Sequence, residues 1–185
     1  MQTLTGTFRD LMTLYAFRRV VKAAGTAQAL IEARVKNSAY VIGEMVYSAQ
    51  SPNFVYECMA AGTSEDEDDD GTHPVWPLVI GAHVHDAGTL EWHCRALVRR
   101  YAVGFGLVAK KAAGDNTGKI YVGDSLVDKT SPQQMELAAG EFLRMTDLGF
   151  PLGSIVDLTT IYVDAATNAD ELTGIYVPPQ TIPNP

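Results

Sequence analysis

His83 and His85 stand two residues apart and would share one face of a strand, with His93 close by in the sequence. Three imidazoles can complete a zinc site. No carboxylate or thiolate stands at ligand spacing beside the pair, so polar surface positions on a small sheet are the favoured reading. Cys58 and Cys94 each fall at the end of a predicted strand and could face each other across a sheet. A buried thiol pair suits a reducing cytoplasm, and a disulfide could form only after release from it. No basic residue is placed to lower either thiol's pKa, so neither reads as a nucleophile. Trp76, Trp92 and Tyr56 could form a platform for a sugar, but core packing is the simpler expectation.

The acidic run Glu65-Asp66-Glu67-Asp68-Asp69-Asp70 lacks the alternating ligand positions of a calcium loop. Adjacent carboxylates repel each other, which predicts a solvated loop. Asp124 and Ser125 follow Gly123 in a turn, and Asp164 and Asp170 are expected in turns of a closing hairpin. Carboxylates in turns usually accept bonds from local backbone groups rather than act as acid and base. The chain has no Gly-x-Ser-x-Gly, no glycine-rich phosphate loop and no His-Glu-x-x-His. The sequence therefore assigns no catalytic residue, no cofactor-binding residue and no metal ligand.

The formal net charge is −8, and most of the excess lies in the acidic run. Nucleic-acid binding needs clustered Lys and Arg, so a nucleic-acid partner is not expected. No segment approaches the ~20 apolar residues of a membrane helix, and the first residues do not read as a secretory leader. With two cysteines among 185 residues, a disulfide scaffold is not expected either.

The elements that must position these residues are mostly strands. Residues 8–18 could form a short helix, with Phe8, Leu11, Met12 and Tyr15 on one face; a strand, or an arm packed on a neighbour, fits nearly as well. From Arg19 onward short apolar runs alternate with Gly, Asn and Asp. Tyr40 to Tyr47 is a strand candidate in which Gly43 marks a bulge or turn. Leu90, Trp92 and Cys94 alternate strictly with Thr89, Glu91 and His93, which predicts one buried and one exposed face. Pro74 and Pro77 bracket Trp76 and forbid a regular central strand there. Four of the nine prolines fall in the final VPPQTIPNP, which reads as an extended arm. The expected fold is mainly β: a β-sandwich or barrel-like scaffold with a small inserted β module.

Two ordered series of motifs resemble modules that recur in tailed-bacteriophage virion proteins. NTGKIYVGDSLVDKT, MELAAGEFLRM and DLTTIYVDAATNADELTGIYV resemble a small β-sandwich of phage decoration and tail-associated proteins. Its earlier strand pair corresponds to Ala23-Ala24-Gly25-Thr26-Ala27-Gln28-Ala29-Leu30, far upstream of the continuation at Leu107-Val108-Ala109-Lys110. The interval holds YVIGEMVYS, FVYECMAAGTS and HPVWPLVIGAHVHDAGTLEWHC, similar to a compact module of phage tail and capsid proteins. That second series departs from the usual pattern twice. Its loop after Ser64 is swollen by acids, and its Asp-Gly turn is lengthened to Asp86-Ala87-Gly88.

The resemblance implies an insertion. Residues 1–18 would form an arm or short helix, and 19–38 plus 95–177 the scaffold. Residues 39–94 would be the inserted module, with its acidic loop at 65–71, and 178–185 an extended arm. Sandwich-tip loops accept insertions because loop-closure entropy grows only logarithmically with length. By the same resemblance the protein would be a virion structural component assembled in the bacterial host cytoplasm, most readily a capsid decoration or cement protein, forming a homotrimer. Its partners would be the major capsid protein or other virion proteins, with no enzymatic activity. The rival expectation is a tail or fibre component that binds host-surface glycan through the inserted module.

Overall fold

The computed structural model describes residues 15–65, 74–97, 101–111, 114–128, 130 and 134–177. Most of the expected N-terminal arm, the acidic run beyond Glu65 and the proline-rich end lie outside them. The described residues are mainly β, with 45% in strands, 5% in helical turns and no helix of seven residues or more. No helix among the described residues is long and apolar enough to cross a membrane.

The chain opens with β1 (Tyr15–Val20), β2 (Gln28–Ala29) and β3 (Glu32–Ala33). Then come β4 (Ala39–Tyr40), β5 (Met45–Ser48), β6 (Ser51–Ala60), β7 (Gly62–Thr63), β8 (His83–His85) and β9 (Glu91–Leu97). The rest is β10 (Tyr101–Ala102), β11 (Gly104–Val108), β12 (Ile120–Gly123), β13 (Met135–Leu137), β14 (Phe142–Arg144), β15 (Val156–Asp157), β16 (Tyr162–Ala165) and β17 (Glu171–Val177). Residues 15–20 are therefore a strand, the alternative that fits 8–18 nearly as well as the short helix; residues 8–14 lie outside the described residues. The reason is tertiary: β1 pairs along its whole length with β17, from Tyr15 opposite Tyr176 to Val20 opposite Glu171.

Two four-stranded sheets, ordered β1-β17-β11-β14 and β13-β12-β16-β2, enclose one apolar core. Leu30, Leu107, Ile120, Leu143, Leu158 and Leu172 are buried in it. A five-stranded sheet, β3-β5-β6-β9-β8, carries a second core of Tyr40, Val46, Phe54, Tyr56, Cys58, Trp76, Leu90, Trp92 and Cys94. Burying a large apolar side chain is worth about 1.5–3 kcal/mol relative to exposure, so each cluster is a substantial core. The strands between them serve both. Val46 and Tyr56 face the second core, while their neighbours Met45 and Val55 belong to the first.

Gly43 ends the apolar run that begins at Tyr40. Its φ of +90° suits glycine, and it separates β4 from β5 as a turn. Its carbonyl accepts the Arg18 N–H at 3.0 Å and its own N–H donates to the Cys58 carbonyl at 2.9 Å, tying β1 to β6.

Candidate functional site

The histidines do come together. Pairing of β8 with β9 sets His83 opposite His93, with the rings stacked 4.3 Å apart at 14°. His85 lies on the same strand, exposed, opposite Glu91. A carboxylate is also present, contrary to the sequence expectation: Glu91 Oε1 lies 2.6 Å from His83 Nδ1. Glu91 is eight residues away in sequence, and only the antiparallel register brings it alongside. Near-parallel stacked rings direct their nitrogens side by side rather than toward one point. Among the described residues no group of three or more His, Cys, Asp or Glu is arranged to hold a metal ion. Burial, then the charges of Arg95 and His83, lowers the pKa of His93 and favours its neutral ring.

The cysteines lie inside their strands rather than at strand ends. Cys58 is opposite Trp92 and Cys94 opposite Tyr56, so the two thiols are offset neighbours on adjacent strands. Both are buried, and neither forms a disulfide. Burial first, and then Glu44 and Glu57, pushes the Cys58 thiol up to about 12, against a smaller opposing effect of Lys22. A thiol held that high is inert at neutral pH.

Trp92 and Tyr56 are fully buried and Trp76 nearly so. Tyr56 and Trp76 have ring centroids 4.3 Å apart, and Tyr40 packs edge-on to Trp92 at 4.9 Å. These aromatics form core, not an open platform for a sugar. Their polar edges are satisfied internally. The Tyr56 hydroxyl donates to the Pro77 carbonyl at 3.1 Å, and Trp92 Nε1 donates to Asp86 Oδ2 at 3.0 Å.

Asp86 is the residue that sequence reasoning undervalued. It was read as one end of a turn, yet its side chain is fully buried beside Arg34. Arg34 grips it in bidentate fashion, at 2.6 Å through Nε and 2.7 Å through Nη2, and the Glu65 N–H donates to it at 2.9 Å. Burial alone would raise the Asp86 pKa; the bonds from Arg34, Glu65 and Trp92 outweigh it and hold the carboxyl below its ordinary value. The network fixes three separate stretches around Trp92. Its only sequence signal was an Asp just upstream of a core tryptophan, because Arg34 lies 52 residues away.

Lys22 and Glu44 form a second unforeseen contact. Lys22 Nζ sits 3.6 Å from the Tyr40 ring centroid, 3.2 Å from Ser38 Oγ and 3.9 Å from Glu44 Oε1. Burial lowers the Lys22 pKa and raises that of Glu44, each partly countered by the other's charge.

Asp164 lies within β16, not in a turn. There its Oδ1 accepts N–H bonds from Gly25 and Ala165, each at 2.7 Å. Asp170 precedes β17 and accepts from the N–H groups of Thr117 and Gly118 and from Lys111 Nζ. Asp124 caps the Leu126 N–H at 2.9 Å. Asp124 braces its own turn, whereas Asp164 and Asp170 hold backbone that is distant in sequence, at Gly25 and at Thr117 and Gly118.

The unusual surface is the loop after Pro74. Trp76 turns inward as a plug, while Val75, Leu78, Val79 and Ile80 stay 86%, 60%, 68% and 56% exposed. Val79 and Ile80 look like the start of a strand in the sequence; the structure places them in the turn before Gly81, whose φ is +85°. Four apolar side chains standing out of six consecutive residues form a patch rather than a scatter. Such patches commonly mark contact surfaces. No protein-family model, no curated protein and no solved structure matches the chain.

Proposed function

We propose that the chain is a structural protein of a bacteriophage particle, a capsid decoration or cement protein that acts by binding rather than by chemistry. The observation that carries this reading is the apolar loop of Val75, Leu78, Val79 and Ile80, pinned by the buried Trp76. A loop held by its own plug presents its apolar side chains in a fixed arrangement, so little ordering entropy is lost on docking. The ordered motif series that resemble virion modules support the particle as the setting. In this reading the inserted module meets a neighbouring virion protein through that loop, and the scaffold holds sister subunits as a homotrimer.

The test is co-sedimentation with purified heads that lack decoration. The wild-type chain should pellet with heads at saturable stoichiometry. The double variant Val79→Asp, Ile80→Asp should bind at least tenfold more weakly at unchanged melting temperature, because both side chains face solvent. Wild-type protein that stays in the supernatant while binding host cells would overturn the reading in favour of a tail or fibre component.

A further inference from the structure

The outer face of the sheet β1-β17-β11-β14 contains a cleft that the described residues leave open. On β11, Gly104 and Gly106 point to this face, opposite Val177 and Ile175 of β17. Gly104 leaves its stretch of β11 open, with nothing within 4 Å of where a Cβ would stand, and the Phe142 ring covers Gly106 beside it. Phe142 of β14 forms one wall, 52% exposed, with its ring laid across Gly106; a Cβ at Gly106 would sit 2.6 Å from Phe142 Cζ. Ile175, 47% exposed, and Val177 form the other wall. The cleft measures about 200 Å³ and its walls are almost wholly apolar. That is below the ~300–1,000 Å³ of small-molecule pockets, and suits one or two side chains of an extended peptide.

The chain carries such a peptide. Residues 178–185, PPQTIPNP, hold four prolines and one isoleucine and no charged side chain. Proline-rich segments lose little entropy on docking into aromatic-walled grooves, because proline presets the extended conformation. The segment departs from Val177, at the rim of the cleft. A residue that precedes proline is kept out of the α region, and this applies at both Val177 and Pro178. Because the cleft lies beside Ile175 and Val177, an extended continuation of β17 would lead away from it rather than back into it. Eight residues in a polyproline-like conformation would span ~25 Å at ~3.1 Å each, far enough to meet a neighbouring copy.

We propose that the cleft walled by Phe142, Ile175 and Val177 receives the 178–185 segment of a second copy of this chain. Such a contact is heterologous, arm to cleft, and closes into a ring when the rotation allows. It deepens the self-association part of the proposed function and is independent of which particle the protein joins.

Two variants separate the halves of the contact. Deletion of 178–185 removes the arm and keeps the cleft. Gly104→Leu fills the cleft and keeps the arm; a Cβ at Gly104 meets nothing within 4 Å, so the fold accommodates it. Sedimentation velocity on the full chain should show a concentration-dependent oligomer. Each variant alone should associate at least tenfold more weakly. An equimolar mixture of the two should regain a 1:1 complex, since one supplies the arm and the other the cleft. A monomeric full chain, unchanged assembly after the deletion, or no complex in the mixture would each overturn the proposal. Because heads are absent from this experiment, its failure leaves the co-sedimentation result standing, and the reverse also holds.

Discussion

Asp86 shows how much one side chain can hold. It accepts from Arg34, Trp92 and the Glu65 backbone at once, with its side chain fully buried. Asp86→Ala leaves the Arg34 guanidinium, itself 3% exposed, without its buried partner carboxylate. Breaking a buried pair in this way typically costs about 3–5 kcal/mol, which urea unfolding followed by tryptophan fluorescence should detect. The pH dependence has a definite sign. The folded pKa of Asp86 is lowered from the usual 3.8, so its stabilisation is complete above that value and is lost as pH falls below it. Asp170 is shifted the same way and adds to the acid sensitivity. Asp86→Asn should flatten the stability profile below about pH 4, in comparison with wild type. The sequence revealed a turn at Asp86 but not its partner, because a contact spanning 52 residues leaves no local periodicity. The same holds for Glu91 beside His83, which only a strand register creates.

At the scale of elements, strand β9 was legible because its alternation is local. Leu90, Trp92 and Cys94 are fully buried, while Glu91, His93 and Arg95 are not. Strand β1 was legible only as one of the alternatives for residues 8–18, since pairing with β17 decides its conformation. That pairing also imposes a close approach. Gly174 lies under Phe17, and an added Cβ would meet the Phe17 ring at 2.6 Å and Leu107 Cδ2 at 2.9 Å. Phe17 cannot move aside readily: it is buried and packs edge-on against Tyr176 at 5.9 Å. Gly174→Ala should therefore destabilise by about 1–3 kcal/mol as an overpacked core, read as a lowered melting temperature. Phe17→Leu in the same chain should recover part of the loss. Gly104→Ala, on the open face, should leave the melting temperature nearly unchanged and serves as the control.

The whole molecule has two apolar cores that share the strands between them. Met45 and Val55 face one core, while Val46 and Tyr56 face the other. Hydrogen bonds from β1 to Gly43 and from Gly43 to Cys58 add to the coupling. Both tryptophans, Trp76 and Trp92, sit in the second core, so their fluorescence reports that core alone. Far-UV circular dichroism reports every sheet. The shared strands predict a single cooperative transition with coincident midpoints by the two probes. Separate midpoints would mean that the second core melts by itself.

Cooperative folding would make the shared strands a rigid carrier for the loop of Val75 to Ile80 and the cleft beside Phe142, two of the exposed apolar features among the described residues. A decoration role requires that the protein be present on the particle in many copies. Quantitative mass spectrometry of gradient-purified particles, from the cells that carry the gene, measures this most directly. The account predicts the chain at a fixed, near-stoichiometric ratio to the major capsid protein. Its absence from the particles, or its presence at only a few copies each, would contradict it.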